Sequence, residues 1–344
     1  MQRSQRRLTL TLAPGILAFL IAALSVADMF LPHPYDGVIL EADVPGARVV
    51  RAVVPGSGAD RAGIRPADVI VGIDREFLED SETHAQELLN QHRIGESVSY
   101  LVRSGGSIFE VDVELGRRRI GDTSYLYIAL LGFLFFGVGV FVVLRQTRMP
   151  AARVFFTMSS LFMLFLVCRL RPASYSRVDE IVITAGEMAL LFLPAAFLHF
   201  FLIFPREIWE WRRDPIADFL GWINRISAKM LPLYLVPPMV YMGTNLWAKY
   251  SGNSLALISG APMTNWWVMV GYMMLGLGAL YLSARHLPDA AQRRGAGLVF
   301  VGTLFGVAPF IVLAVGFPTL FKTERFLFYG VVPLILVPIT FAYA

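Results

Sequence analysis

The sequence predicts an α-helical integral membrane bundle of about eight transmembrane helices, with one small α+β domain inserted after the first span. Three observations carry this. Of 344 residues, 56% are hydrophobic and only 16% charged, against about 25% charged in soluble domains. The shortfall is uneven: residues 33–119 read as an ordinary soluble stretch, and the rest as a series of apolar runs. Many of those runs reach the roughly 20 residues that a spanning helix needs. The basic residues sit between the runs, which is topology information rather than a nucleic-acid footprint. At a net charge of +4, no nucleic-acid partner is expected.

The first run is Leu8 to Ala27, preceded by Arg3, Arg6 and Arg7. A cleavable signal peptide is the rival reading, because Ser25-Val26-Ala27 offers small residues at a cleavage position. The run is long for that purpose, so residues 1–30 are read as an uncleaved anchor. Seven more runs fill residues 123–344: Ser124–Leu144, Ala151–Leu170, Ile181–Phe204, Met230–Trp247, Trp266–Ala284, Gly297–Phe317 and Phe326–Ala344. With the amino terminus inside, 14 basic residues fall on inner segments and 6 on short outer loops; the other 10 lie in segment 31–122, where the rule has little force. The expected protein is therefore multi-pass in a bacterial inner (plasma) membrane. Both termini are cytoplasmic and the small domain is periplasmic or extracytoplasmic. Between Pro205 and Lys229, Trp209, Trp211, Phe219, Leu220 and Trp222 alternate with charges, which predicts a segment lying along the inner surface.

Within residues 33–117, Val98, Tyr100 and Val102 alternate with polar neighbours. After Gly105-Gly106, Phe109, Val111, Val113 and Leu115 alternate with acids. Two period-two arms joined by Gly-Gly predict a β-hairpin. Between Ser81 and His92 the period changes, with Ala85, Leu88, Leu89 and His92 at helical spacing and Thr83 with Gln86 as a capping box.

The stretch from Gly46 to Gly106 resembles the PDZ domains of bacterial envelope proteases. The matching pieces are the strand Val49–Val54, the turn Pro55-Gly56-Ser57-Gly58-Ala59, Ala62-Gly63-Ile64, Asp68-Val69-Ile70, the helix, and Gly95-Glu96 before the hairpin. It departs at Ala67, where glycine is usual, and at Arg75-Glu76, where Asn-Gly is usual. The resemblance implies that a peptide or protein C-terminus adds as a strand to a sheet edge. It places the carboxylate-binding loop at Tyr35-Asp36-Gly37-Val38, and the groove between Val38–Leu40, including Ile39, and the helix bearing Ala85 and Leu89. Asp36 is the awkward member, because it sets a carboxylate beside a terminal carboxylate. A PDZ fold without a ligand, or one docked on a neighbouring protein or on its own bundle, is the alternative.

Ionisable residues inside apolar runs are costly and often functional. Glu187 lies near the middle of its run, either as a proton- or ligand-responsive group or as a hydrogen-bonding partner of another helix. His199 reads as an interfacial hydrogen bond rather than a metal ligand, and Arg169 as a side chain that snorkels outward. Gly302 and Gly306 form a GxxxG spacing that permits close helix approach; a homodimer stays open. The single cysteine, Cys168, allows no internal disulfide, and none of the five histidines forms an H-E-x-x-H motif. No metal and no cofactor are expected.

The segments 197–207, 293–311 and 332–344 resemble the multi-helix membrane-sensor region of bacterial histidine kinases and sporulation-type serine/threonine phosphatases. That resemblance implies a signal-transduction input module of the two-component kind, whose cytoplasmic output domain would follow Ala344, outside this sequence. An enzyme is not expected within these residues. An intramembrane protease lacks its motif, since Asp28 and Asp289 lie only at span edges. For a transporter, the intramembrane polar residues are too few to outline a pathway, and no inverted repeat is evident. A membrane scaffold or assembly factor that recruits envelope proteins through the PDZ domain is the remaining alternative.

Overall fold

A computed structural model of the chain describes residues 2–40, 49–74, 76–78, 85–118, 123–147, 149–171, 177–205, 231–250, 254–316 and 327–343. Contacts divide the chain into two compact units. One comprises Met1–Ala23, Thr123–Arg171 and Val182–Ala344, and the other Leu24–Asp122 and Pro172–Ile181.

Helix α1 (Gln2–Phe30) begins in the first unit; its end, from Leu24, lies in the second and gives way within three residues to strand β1 (His33–Tyr35). The junction is tight: the Leu31 N–H donates to the Asp28 carbonyl at 3.0 Å, and His33 Nε2 lies 3.0 Å from the same oxygen. Strand β2 (Val38–Leu40) pairs antiparallel with β3 (Val50–Val53). A short helix α2 (Gly58–Arg61) follows, then β4 (Val69–Ile73), β5 (Glu76–Phe77), helix α3 (Ala85–Leu89) and the hairpin β6 (Ser97–Ser104) and β7 (Ser107–Glu114). The larger sheet runs β5-β4-β6-β7. The hairpin is the one the alternation predicted. Ser104 opposes Ser107, and Gly105 and Gly106 both carry positive φ, 56° and 87°, as a two-residue primed turn requires. Strand β8 (Gly116–Arg118) returns to pair with β1, so the two ends of the domain are zipped into one ribbon.

The inward sides of these strands make one core. Val50, Ile64, Ile70, Ile73, Leu88, Leu89, Val98, Tyr100, Val102 and Val113 are all buried, and Val38, Leu40 and Ala85 pack against them. Each large apolar side chain so buried stabilises the unit by about 1.5–3 kcal/mol.

The other unit is helical: α4 (Thr123–Arg145), α5 (Pro150–Leu164, continued as a π-turn Phe165–Arg169), α6 (Arg177–Ile203), α7 (Leu231–Tyr250), α8 (Ser254–Arg285), α9 (Ala290–Pro309, continued as Phe310–Gly316), α10 (Leu327–Val331) and α11 (Leu336–Tyr343). Six helices among the described residues are long and apolar enough to cross a membrane: Leu12–Phe30, Tyr125–Arg145, Pro150–Arg169, Val178–Ile203, Trp267–Arg285 and Ala290–Leu313. The other two of the eight expected spans differ. Helix α7 carries Pro237 and Pro238 inside it, and the last run is broken into α10, a 3₁₀ turn at Val332–Ile335 and α11. Helix α7 is nonetheless continuous; in the last run Pro333 opens the 3₁₀ turn, because proline removes a donor and disturbs the preceding turn. Helix α8 begins at Ser254, well before the expected Trp266, so most of the outer loop placed at 249–265 is helical instead. The interfacial segment expected at 205–229 lies almost wholly outside the described residues.

Small residues set the helix contacts. A side chain at Gly132 would meet Val167 and Met163, and one at Gly139 would meet Ser159, which brings α4 onto α5. The GxxxG pair is used within the chain: Gly302 faces Thr340 and Gly306 faces Val337 and Leu334. Phe19 stacks at 5.4 Å on Phe136 and meets Phe133 edge-on at 5.5 Å.

Candidate peptide-binding edge

The loop between β1 and β2 is fixed from both sides. Val54 N–H donates to the Gly37 carbonyl at 2.9 Å, and Ala59 N–H to the Asp36 carbonyl at 2.9 Å. Gly37 has φ +94°, and a side chain there would strike Ser57, so only glycine fits. Ser57 is itself committed as the N-cap of α2.

That Val54–Gly37 bond continues the β2–β3 ladder, and in an antiparallel ladder the next residue turns its N–H and C=O the other way. Val38 therefore presents its backbone to the edge of β2 that carries no strand among the described residues. Ile39 is 44% exposed, while Val38 and Leu40 lean on the core. Helix α3 packs on that same core. Its Gln86 side chain donates to the Pro34 carbonyl at 2.7 Å, which ties the helix to β1. Gln86 was expected in a capping box with Thr83; Thr83 lies outside the described residues. Ala85 is half-buried, but Leu89 is 2% exposed and belongs to the core rather than to an open groove wall.

Asp36 turns inward. It is 5% exposed. Tyr100 donates its hydroxyl to Asp36 Oδ2 at 2.7 Å, and the Val38 N–H donates to Oδ1 at 2.9 Å. Burial pushes the Asp36 carboxyl up from its ordinary range, while the Val38 amide, the Tyr100 hydroxyl and the amides of Asp36 and Gly37 pull it back. Burial and the Asp36 charge together drive Tyr100 well above an ordinary phenol. Tyr35 is half-buried, with the Arg118 guanidinium 4.7 Å from its ring centroid, and burial raises its hydroxyl too. No local pattern marks Tyr100 as the partner of Asp36, because the two lie 64 positions apart.

Two turn substitutions are explained. Ala67 has φ 73°. It follows Pro66, and Asp68 N–H donates to the Arg65 carbonyl at 3.2 Å, the pattern of a type II turn with its left-handed residue at Ala67. The two-residue connection between β4 and β5 is Asp74-Arg75, since Ile73 opposes Glu76. It lies one residue earlier than the Arg75-Glu76 placement. Asp74 at φ 48° is a residue type that tolerates this conformation.

In the helical unit, Glu187 pairs with Arg169, Oε1 to Nε at 3.0 Å. Arg169 is thus engaged by a carboxylate rather than free to snorkel. Gly186 permits the approach, since a side chain there would strike the Arg169 backbone. His199 Nδ1 lies 3.1 Å from the Tyr234 hydroxyl, an interhelical hydrogen bond. Among the described residues no cluster of three His, Cys, Asp or Glu could hold a metal ion.

Residues 49–104 match the PDZ domain family model; the Tyr35–Leu40 loop and strand lie just outside the matched stretch. A PDZ domain is a peptide- and protein-binding module, and the long apolar helices are compatible with membrane association. No curated protein matches. Among solved structures the chain is similar to an "HtrA-type protease AlgWS227A with decapeptide", at 23% identity and a TM-score of 0.26. The similarity covers 30% of this chain and 35% of that one. The chain therefore spans about a third of the length of that structure.

Proposed function

We propose that this chain is a membrane input module for signalling. In this reading the β2 edge captures a polypeptide on the outer side of a bacterial inner membrane, and the bundle relays the event inward without catalysis. The observation that carries it is the β1–β8 ribbon. It joins the two ends of the binding domain, with His33 Nε2 against the Asp28 carbonyl at the end of α1 and Arg118 over Tyr35, and the chain enters α4 five residues after Arg118. A connection this short in sequence limits how far the domain can move independently of α4. Helix α4 in turn meets the last helical segment, Tyr127 donating its hydroxyl to the Val332 carbonyl at 3.4 Å.

A ligand shifts an equilibrium only by its differential affinity for two states. Relay therefore requires a measurable helix displacement on binding. Spin labels at Leu17 and Leu144, both exposed, in a Cys168→Ser background of the full chain, report the α1–α4 separation. A decapeptide selected on the chain should shift the distance distribution by about 1–2 Å or more, the scale of switching helices. An unchanged distribution at saturating peptide would make the domain a recruiting arm, as in a scaffold.

A further inference from the structure

The amide that opens the free edge of β2 is already occupied. Val38 N–H points away from β3, and Asp36 Oδ1 takes it at 2.9 Å; the other carboxylate oxygen is held by Tyr100 at 2.7 Å. The Asp36 and Gly37 amides also face the carboxylate. Backbone amides gathered in this way form a nest for an anion, and here the anion is the chain's own side chain. The loop is held in place by the bonds that the Gly37 and Asp36 carbonyls accept from the Val54 and Ala59 amides.

We infer that Asp36 is a specificity determinant that closes the carboxylate seat, so that the β2 edge accepts an internal extended segment of a partner protein and discriminates against a free chain terminus. Two physical effects act together. An incoming terminal carboxylate finds the Val38 donor taken, and it meets a like charge at short range. An internal segment brings neutral peptide groups, which can pair with the Val38 carbonyl without placing a second carboxylate beside Asp36. The inference rests on the peptide-binding reading of this edge and narrows its ligand class.

The test uses the full chain in lipid nanodiscs and two random synthetic decapeptide libraries, identical except that one ends in a free carboxylate and the other in a carboxamide. Sequences recovered from either library are remade in both forms and titrated. Acid and amide forms should bind within about twofold of each other. Binding at least tenfold weaker for the amide overturns the inference and leaves the peptide-binding reading standing. Recovery of no peptide from either library overturns that reading, and the inference with it. Asp36→Ala combined with Tyr100→Phe empties the seat without orphaning the buried hydroxyl; amide protection of β6 and β7 verifies its fold. This variant should favour the acid forms by tenfold or more. If it remains indifferent to the terminus, Asp36 is not what excludes the carboxylate, and the assignment falls.

Discussion

Replacing Ala67 by glycine should stabilise the PDZ domain. Ala67 sits at φ 73°, where an L-residue with a Cβ carries a penalty of about 1–2 kcal/mol. Glycine removes that penalty but loses about 0.5–1 kcal/mol more backbone freedom on folding. The side chain is exposed, so no packing is lost. The Ala67 N–H, which donates to the Val50 carbonyl at 2.8 Å, is kept. Taken at the midpoints of those ranges, the balance is a gain of about 0.75 kcal/mol. Hydrogen exchange read on segment 49–73 of the full chain, in the regime where opening is fast and reversible, should slow by roughly two- to fivefold. Ala67→Val should accelerate exchange, because a β-branched side chain is worse still at positive φ. Unchanged or faster exchange in Ala67→Gly would refute the assignment of turn strain to this residue.

Other expectations concern buried polar groups. Tyr100→Phe removes a hydroxyl donor from a buried carboxylate and should cost about 1–3 kcal/mol, measured by the same exchange assay on β6. The folded Asp36 carboxyl titrates above its ordinary 3.8, so the folded domain holds this proton more tightly than the unfolded chain does. Its contribution to stability is therefore most favourable below pH 3.8, declines as pH rises through the elevated folded value, and stays at the lower level above it. Asp36→Asn should remove that decline, read as the difference between the stability–pH curves of the two proteins. A double-mutant cycle on Arg169→Gln and Glu187→Gln, followed by thermal unfolding in detergent, should show coupling of about 0.5–3 kcal/mol; strict additivity would dissolve the pair.

The strongest local patterns in the sequence match the structure, while the start of α8 and the place of the β4–β5 turn differ, and pairings between distant residues left no signal in the sequence. The β6–β7 hairpin follows from alternation and two adjacent glycines, which act over a few residues. The apolar runs place six helices because length and composition alone decide them. By contrast, the β1–β8 ribbon joins three-residue strands some 80 positions apart, too short for any period to show. Asp36 looked misplaced because its partner Tyr100 reads as one more core position on a strand. Arg169 and Glu187 are far apart in the sequence, and only the fold brings them to 3.0 Å. Ser254–Asn265 mixes apolar residues with small and polar ones and carries no clear period, yet helix α8 begins there. Ala67 was recognised as a departure from the family's glycine, and the structure gives that departure a physical cost.

The account depends most on which side of the membrane the binding domain occupies. Single cysteines at Ser107, in the hairpin turn, and at Gln146, exposed after α4, in a Cys168→Ser chain, decide this with a membrane-impermeant maleimide applied to spheroplasts. The orientation inferred from the basic residues predicts that Ser107→Cys is labelled in intact spheroplasts and Gln146→Cys only after lysis. Labelling of Gln146→Cys with protection of Ser107→Cys would put the binding edge in the cytoplasm and contradict an outward-facing input module.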